Sequence, residues 1–446
     1  MIQFKDMASA IPFSPVRTSE RRDPLYDAVW ADGSQAAWIG RARAVRRIAA
    51  GTGKLPASFR TDPAEAWSRF APGVGWDQKL DVLGAIDTWR TATAEQLAAI
   101  TGAVEIASGR HRLTNDLFAM DALEVGLASD ALQRGPKSGR VHLFRPGRPS
   151  ATTDRITEQL SYPEWVSVTS GSGFEFTHQF DRHNLLATEL GLRAAEFCRI
   201  GTVLGEKLST VDALAYTGWG VQPPTSDSQR AADLVLVRPD GLRIAVEITA
   251  SRGRSLESKI GRWANTLSRR RTADSGLVVL FVVAGTPDSH MHTTAAVIKS
   301  VRHHIAASAR LFPGPPDDRT ANRMFVVSWD DWFPDRDSAS ESFLSLTAER
   351  ATGDGWADDS LLAIPYAPAP GSDPMSVLDN TAGLRSVPYW LRRGDPPALW
   401  RGPLHRAGFD GIPHLQGLTD KGRVRADFAT QRGVVAAPQV VYRLRF

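Results

Sequence analysis

Two acidic residues of a predicted β-hairpin, Asp233 and Glu247, have the type and spacing that best fit catalytic chemistry. The loop between their strands contains Pro239-Asp240-Gly241, which is typical of a type I turn followed by a left-handed glycine. With this three-residue loop, Arg238 faces Leu242, and counting outward places Asp233 directly across from Glu247. Directly opposed side chains share one face of a sheet, with β-carbons roughly 5 Å apart.

Carboxylates this close repel each other, so we expect a positive charge between them. Mg²⁺ is the usual choice, with Mn²⁺ as its substitute, because Mg²⁺ binds one or two carboxylates together with water and phosphate oxygens. Thr249 lies two residues after Glu247 and therefore on the same strand face. A second interpretation stays open, in which the acids are solvated or pair with Arg243 or Arg252.

The elements that must position the two acids are predicted over residues 175–335. They are a long helix over 183–199, the hairpin over 232–249, an arginine-rich helix over 256–271, a fully apolar strand over 277–284, a helix over 293–307 and a strand over 324–329. This order is typical of an α/β layer fold, so we expect a multi-domain α/β protein.

A second predicted unit, over 76–148, has the pattern of a winged helix-turn-helix. A helix begins at Trp76, a capped second helix ends at Gly102, and a third helix is expected over 110–123. A basic turn and a strand over 141–145 follow and would form the wing. In such domains the third helix enters the major groove of duplex DNA and the wing touches the backbone.

Eight residues of this unit are therefore candidates for DNA contact. Four are expected at the start of the third helix and four on the wing: Arg110, His111, Arg112 and Asn115, then Arg134, Lys137, Arg140 and Arg145. The alternative is a winged helix that contacts protein, with these arginines merely solvated.

The remaining segments are predicted to be less regular. Residues 1–72 are expected to form a loosely organised leader with one helix over 41–47, and residues 150–177 and 350–380 are predicted linkers. Residues 382–446 form a basic C-terminal segment, which fits nucleic acid. Its eleven basic residues, against four acidic ones, are Arg385, Arg392, Arg393, Arg401, Arg406, Lys421, Arg423, Arg425, Arg432, Arg443 and Arg445.

Composition excludes several classes of protein. The chain has 446 residues, a net charge of +4 and one cysteine, Cys198, so neither a disulfide framework nor a cysteine-based zinc cluster is expected. No apolar run reaches roughly 18 residues and the first residues lack a secretion signal, so we expect a cytoplasmic protein with no membrane contact.

The order of helix, hairpin, helix and strand with opposed acids resembles the PD-(D/E)xK nuclease superfamily. The resemblance implies that Asp233 and Glu247 bind the metal, that a lysine two residues after the second acid orients the attacking water, and that an acid on the preceding helix joins them. Glu189 is the corresponding helical acid. The sequence departs from the motif at Thr249, which stands in the place of the lysine, and Lys259 on the next helix is the candidate for a migrated ammonium group.

A winged helix followed by such a core also resembles the replication-relaxation family, whose members occur on plasmids and mobile elements. The first hypothesis is a metal-dependent endonuclease that binds double-stranded DNA, serves a plasmid, mobile element or defence system, and pairs as a homodimer to cut both strands. The alternative is a non-catalytic DNA-binding accessory protein that works with other replication or mobilisation proteins and keeps a degenerate nuclease fold. A third, a transcriptional regulator that senses a ligand, leaves the opposed acids unexplained.

Overall fold

The computed structural model describes residues 1–7, 16–27, 34–54, 59–130, 141–147, 150–160, 162–170, 174, 181–209, 232–285, 293–370 and 376–392. Its helices are α1 (Arg41–Ala49), α2 (Pro63–Arg69), α3 (Trp76–Trp89), α4 (Ala94–Thr101), α5 (Arg112–Ala119), α6 (Ser150–Gln159), α7 (Tyr162–Thr169), α8 (Asp181–Phe197), α9 (Arg254–Ser268), α10 (Thr272–Ser275), α11 (Thr294–Leu311), α12 (Trp329–Trp332), α13 (Glu341–Leu344) and α14 (Ser376–Thr381). Its strands are β1 (Ile2–Gln3), β2 (Ser34–Ile39), β3 (Ala92–Thr93), β4 (Leu123–Asp130), β5 (Val141–Pro146), β6 (Thr202–Gly205), β7 (Leu234–Val237), β8 (Arg243–Thr249), β9 (Leu277–Val283), β10 (Met324–Ser328), β11 (Ser338–Ala339), β12 (Thr347–Thr352) and β13 (Gly355–Ser360). Among these residues, no helix combines the length and the apolar character needed to cross a bilayer.

The larger sheet has seven strands in the order β13-β12-β10-β9-β8-β7-β6. Strands β8, β9 and β10 run parallel, and the outer pairs are antiparallel. Every residue of β9 is buried, as expected for a parallel strand covered on both faces. The mixed α/β class predicted from the sequence is confirmed.

Helices flank this sheet in the predicted order. Helix α8 packs on β6 and β7, while α9 and α11 pack on each other and on β9. The crossovers from β8 to β9 and from β9 to β10 pass through α9 and α11, and the right-handed rule for parallel strands places both helices on one face.

Both edges of the larger sheet contain strands that the sequence did not predict. The expected linker over 350–380 begins instead with the end of β12, followed by β13 and later by α14. These edge strands are half-exposed and polar, so they lack the apolar run used to find β9. At the other edge, β6 has only four residues, which is too short to show a periodic pattern.

The smaller sheet has the order β2-β4-β5-β3 and packs with helices α3, α4 and α5. The predicted second helix is confirmed as α4: Thr93 and Gln96 form a capping box at its start, and Gly102 ends it in the left-handed conformation. The third helix is shorter than predicted. It ends at Ala119, since Asp121 has a φ of 64° and the chain turns into β4.

The prediction of a linker over 150–177 is wrong for most of the described residues of that range. Helices α6 and α7 occupy it, because Ile156, Leu160, Trp165 and Val168 are all buried. The spacing of these four residues is helical, but the surrounding Ser, Thr and Pro residues are typical of a linker and led to the wrong prediction.

The N-terminal segment is not a loose leader in its described parts. The helix expected over 41–47 is confirmed as α1. However, β2 pairs with β4 along its whole length, and Arg21 is buried against α8 through ion pairs with Glu189 and Glu196. These contacts join distant parts of the sequence, so no local sequence pattern predicts them.

Candidate functional site

The β7–β8 hairpin brings the two predicted acids to the same end of its strands. The register ends at the pair of Leu234 and Val246, and Asp233 and Glu247 are the next residues outward. The backbone N–H of Asp233 donates to the Val246 carbonyl at 3.0 Å, so the strand pairing is offset at Asp233. The predicted loop is also confirmed, since the Arg238 N–H donates to Leu242 across it and Gly241 has a φ of 85°.

Helix α9 presents a positive charge to this acid pair, Asp233 and Glu247. The Nζ of Lys259 lies 2.5 Å from Oε2 of Glu247, and Nε1 of Trp263 donates to Oε1 at 2.7 Å. Lys259 and Trp263 are four residues apart on the helix and therefore share a face. Lys259, the candidate for the migrated ammonium group, therefore lies next to Glu247 in the fold.

Asp233 has partners from two other elements. Its Oδ2 accepts a hydrogen bond of 2.6 Å from the backbone N–H of Ile248, and Nδ1 of His183 on α8 lies 3.8 Å from the same oxygen. His183 is about one-third exposed, so this side of the acid pair faces the surface of the protein.

The charges of the site shift each other's protonation. Burial raises the pKa of Glu247, and repulsion by Asp233 adds to this while Lys259 opposes it. Burial also acts to raise the pKa of Asp233, but attraction by Lys259 and His183 outweighs it, so that pKa lies below its usual value. Burial lowers the pKa of Lys259, but Glu247 and Asp233 overcome this and hold it above the ordinary value. The ammonium group therefore stays charged at neutral pH.

A third acid, Glu206, belongs to this region and was missed by sequence reasoning. It directly follows β6, and its Oε2 accepts a hydrogen bond of 2.6 Å from Nδ2 of Asn184 on α8. Burial raises its pKa to about 7, and the charges of Asp233 and Glu247 contribute in the same direction. Because β6 itself was not predicted, nothing in the sequence located Glu206 beside the hairpin.

Replacing Glu206 with glutamine is expected to flatten the pH dependence of stability. The folded pKa near 7 exceeds the ordinary value of 4.5, so the stability that the protonated group contributes is fully present below pH 4.5 and is lost as the pH rises through 7. The loss amounts to about 3 kcal/mol at most. Urea unfolding at pH 5 and pH 8 in EDTA measures it, with the exposed Glu257→Gln as control. Equal pH dependence in wild type and Glu206→Gln would contradict this assignment.

Thr249 and Glu189, the other two predicted catalytic residues, lie in different environments. Thr249 is buried in β8, two residues beyond Glu247, and its carbonyl accepts from Ala284. Glu189 is fully buried and bonds Arg21 at 3.1 Å and Arg193 at 3.1 Å, with Gln96 donating at 3.2 Å. Glu189 was therefore wrong as a member of the acid site, because its carboxylate is already neutralised by two arginines.

The donor chemistry of the acid pair fits a small divalent cation. Asp233 and Glu247 supply carboxylate oxygens, the ligands that Mg²⁺ and Mn²⁺ prefer. Among the described residues, no group of three or more His, Cys, Asp or Glu is arranged to hold a metal, so water or phosphate oxygens would complete the coordination. The Lys259 contact on Glu247 Oε2 would have to lengthen when a cation binds there.

The predicted DNA-reading helix is largely covered. Arg110 and Arg112 are exposed, and His111 caps α5 by accepting from the Leu113 N–H. Asn115, however, is buried and donates to the Arg110 carbonyl at 3.2 Å. From Leu113 to Ala119 the helix is buried throughout.

The cover over α5 comes from the N-terminal segment. Arg69 of α2 bonds both carboxylate oxygens of Asp116, at 2.6 and 3.0 Å. Phe59 packs edge-on against Phe118 with ring centroids 5.4 Å apart. A helix inserted into a DNA groove must expose its side chains, so the prediction for Asn115 is wrong in this arrangement.

Basic residues that were predicted to contact DNA from the wing and from the C-terminal segment form ion pairs within the protein. Arg145 forms an ion pair with Glu124 at 2.6 Å and stacks over the Trp38 ring, so it is not a free wing arginine. Arg385 and Arg392 both pair with Asp81, at 2.9 and 2.6 Å. Arg134, Lys137 and Arg140 lie outside the described residues, as do the other nine basic residues of 382–446.

Comparison of the chain with protein-family models, with curated proteins and with solved structures returns no match.

Proposed function

We propose that this chain is a DNA-binding protein whose larger sheet carries a metal-dependent phosphodiesterase site of the PD-(D/E)xK type. The observation that carries the proposal is the placement of Asp233, Glu247 and Lys259 at one end of the β7–β8 hairpin, where Lys259 bonds Glu247 and its charge acts on both acids. An acid pair can hold the cation that assists cleavage of a phosphodiester, and an adjacent ammonium group adds a positive charge for the phosphate.

The surrounding topology supports the same proposal. Helix α8, the β7–β8 hairpin, helix α9 and the parallel strand β9 follow one another in the order on which the resemblance rests, with β6 as an additional antiparallel strand. Glu247 lies on β8 and Asp233 directly precedes β7, and the lysine is supplied by α9 instead of the position of Thr249. The smaller unit, with α3, α4, α5 and the β4–β5 hairpin, has the element order of a winged helix.

Each residue then has a distinct role. Asp233 and Glu247 would hold the cation, which when bound activates water and stabilises the leaving oxygen. Lys259 keeps its proton at neutral pH and offers a fixed positive charge to the phosphate. Trp263 orients the Glu247 carboxylate through its hydrogen bond.

Two exposed basic residues lie between Glu247 and Lys259 in the sequence. Arg252 belongs to the segment that joins β8 to α9, and Arg254 is the first residue of α9. Arginine binds phosphate through paired hydrogen bonds, so these side chains could hold the strand on either side of the cleaved bond. Duplex DNA of a plasmid or mobile element, with partner replication proteins and a cytoplasmic location, completes the proposal.

Plasmid cleavage tests the proposal. Wild type incubated with supercoiled plasmid and Mg²⁺ or Mn²⁺ is expected to produce nicked or linear DNA, and EDTA should stop the reaction. Asp233→Asn and Glu247→Gln should remove cleavage, while Glu257→Gln, which changes an exposed acid on α9, should leave it intact. Cleavage that survives in both site variants would contradict the assignment.

A second candidate function, non-catalytic DNA binding on a nuclease-like scaffold, is favoured by two observations. Both oxygens of Glu247 already accept hydrogen bonds from Lys259 and Trp263, and Thr249 lacks the charge of the motif lysine. This candidate predicts that wild type binds plasmid without cutting it, and that neither acid substitution alters the affinity.

A further inference from the structure

We propose that helix α1 is a docking surface for the backbone of duplex DNA, with the phosphates bound by an arginine stripe formed by Arg43, Arg46 and Arg47. The choice of DNA as partner rests on the function proposed above, but the surface itself is defined by exposure and charge. No acidic residue occurs from residue 34 to residue 61, a stretch that contains six basic residues.

Helix α1 stands almost entirely in solvent. Of its nine residues only Ala44 is buried, and all three members of the arginine stripe are exposed. Their spacing of three and four residues places them on one side of the helix. Within the described part of the chain, none of the three forms an ion pair. Three unpaired like charges on one helix face repel each other, and a row of phosphates would relieve that repulsion.

The stripe borders a cleft whose lining carries both signs of charge. Arg43 and Arg46 line this cleft of about 370 Å³ together with Trp38, Arg145, Asp121 and Glu124. Glu124 is ion-paired with Arg145 at 2.6 Å. The Nε1 of Trp38 donates to Asp181 at 2.8 Å, and Arg145 lies 3.7 Å from the same carboxylate.

Asp181 is the first residue of α8, the helix that also carries His183. Residues two apart on a helix point to different sides, so the docking surface on α1 is defined by its own exposure and charge and not by a path to the acid pair.

The chemistry of the helix favours DNA over a membrane surface. Its only large exposed apolar side chains are Val45 and Ile48, at 46% and 44% exposure, and it has no aromatic residue. Helices that bind lipid surfaces bury bulky side chains such as Trp, Phe and Leu. Arginine at spaced positions is instead suited to phosphate groups, because its planar guanidinium donates two parallel hydrogen bonds.

DNA binding in EDTA tests the inference separately from catalysis. Fluorescence anisotropy with a labelled duplex would compare wild type, the triple variant Arg43→Gln/Arg46→Gln/Arg47→Gln, and the control Lys299→Gln/Arg310→Gln/Arg319→Gln. The control removes three exposed charges elsewhere. We expect the stripe variant to bind on the order of 10- to 100-fold more weakly and its log–log salt slope to fall by about 2.7, at 0.9 per lost phosphate contact.

The outcomes are distinct. Equal weakening by both triple variants, or affinity unchanged in the stripe variant, would overturn the inference, as would tighter binding to anionic lipid vesicles than to the duplex. Circular dichroism melting shows that each variant is folded. Duplex binding that depends on the stripe but occurs without any cleavage in Mg²⁺ would support this surface and contradict the catalytic proposal alone.

Discussion

Replacing Arg193 with methionine is expected to lower the free energy of unfolding by about 3–5 kcal/mol. Arg193 is 1% exposed and bonds Asp23 at 2.7 Å and Glu189 at 3.1 Å. Its guanidinium also lies 4.4 Å from the centre of the Phe333 ring. Methionine has a similar length but no charge, so two buried carboxylates would lose their common partner.

Urea unfolding measures this loss, and Arg310→Met on the exposed face of α11 is the control. Since exposed substitutions usually change stability by about 0.5 kcal/mol or less, the two variants should differ clearly. The double variant Arg193→Met/Asp23→Asn should recover part of the loss, because Asp23 is left without its Arg193 partner whereas Glu189 keeps Arg21. A loss below about 1 kcal/mol for Arg193→Met would contradict the structural role given to Glu189, since that role predicts the penalty of a broken buried pair.

Replacing Lys259 with methionine is expected to separate metal binding from cleavage. The ammonium group that compensates Glu247 disappears, so the acid pair becomes more negative and should bind Mn²⁺ more tightly. The rate of plasmid nicking should nevertheless fall by roughly 10²–10³-fold, the usual cost of removing one group that stabilises charge in the transition state.

Two comparisons sharpen this prediction. Lys259→Arg keeps the positive charge and should retain part of the activity, while Lys299→Met, an exposed lysine on α11, should match wild type. If Lys259→Met cleaves at the wild-type rate, the lysine is a structural partner of Glu247 and takes no part in the reaction.

Local rules predicted the hairpin correctly. The Pro239-Asp240-Gly241 loop fixes the register by itself, because a left-handed Gly241 and the Arg238–Leu242 pair leave one alignment. Every pair further out, up to Leu234 with Val246, follows from that alignment by counting. Counting alone would place Asp233 opposite Glu247, whereas the Asp233 N–H donates to Val246. Buried apolar strands such as β9 and capped helices such as α4 were found for the same reason, since their signals lie within a few consecutive residues.

Contacts between distant segments could not be predicted from the sequence. Glu189 lies on a helix face that contacts Arg21, a residue 168 positions away. Helical periodicity predicts that this face is buried but not which residue packs against it. The cover of α5 by α2 depends likewise on Arg69 reaching Asp116 across 47 positions. Short or polar strands such as β6 and β13 have no apolar pattern that predicts them. The position of Glu206 directly after β6, and its raised pKa, could therefore not be predicted either.

Titration with Mn²⁺, followed by the electron paramagnetic resonance signal of the free ion, tests the central claim most directly. Wild type is expected to bind one Mn²⁺ per chain, and Asp233→Asn and Glu247→Gln should each weaken that binding by at least roughly 10-fold. Glu257→Gln should bind as wild type does. Wild type that leaves the signal of free Mn²⁺ unchanged, or site variants that bind the ion as tightly as wild type, would contradict a cation site between the two opposed acids.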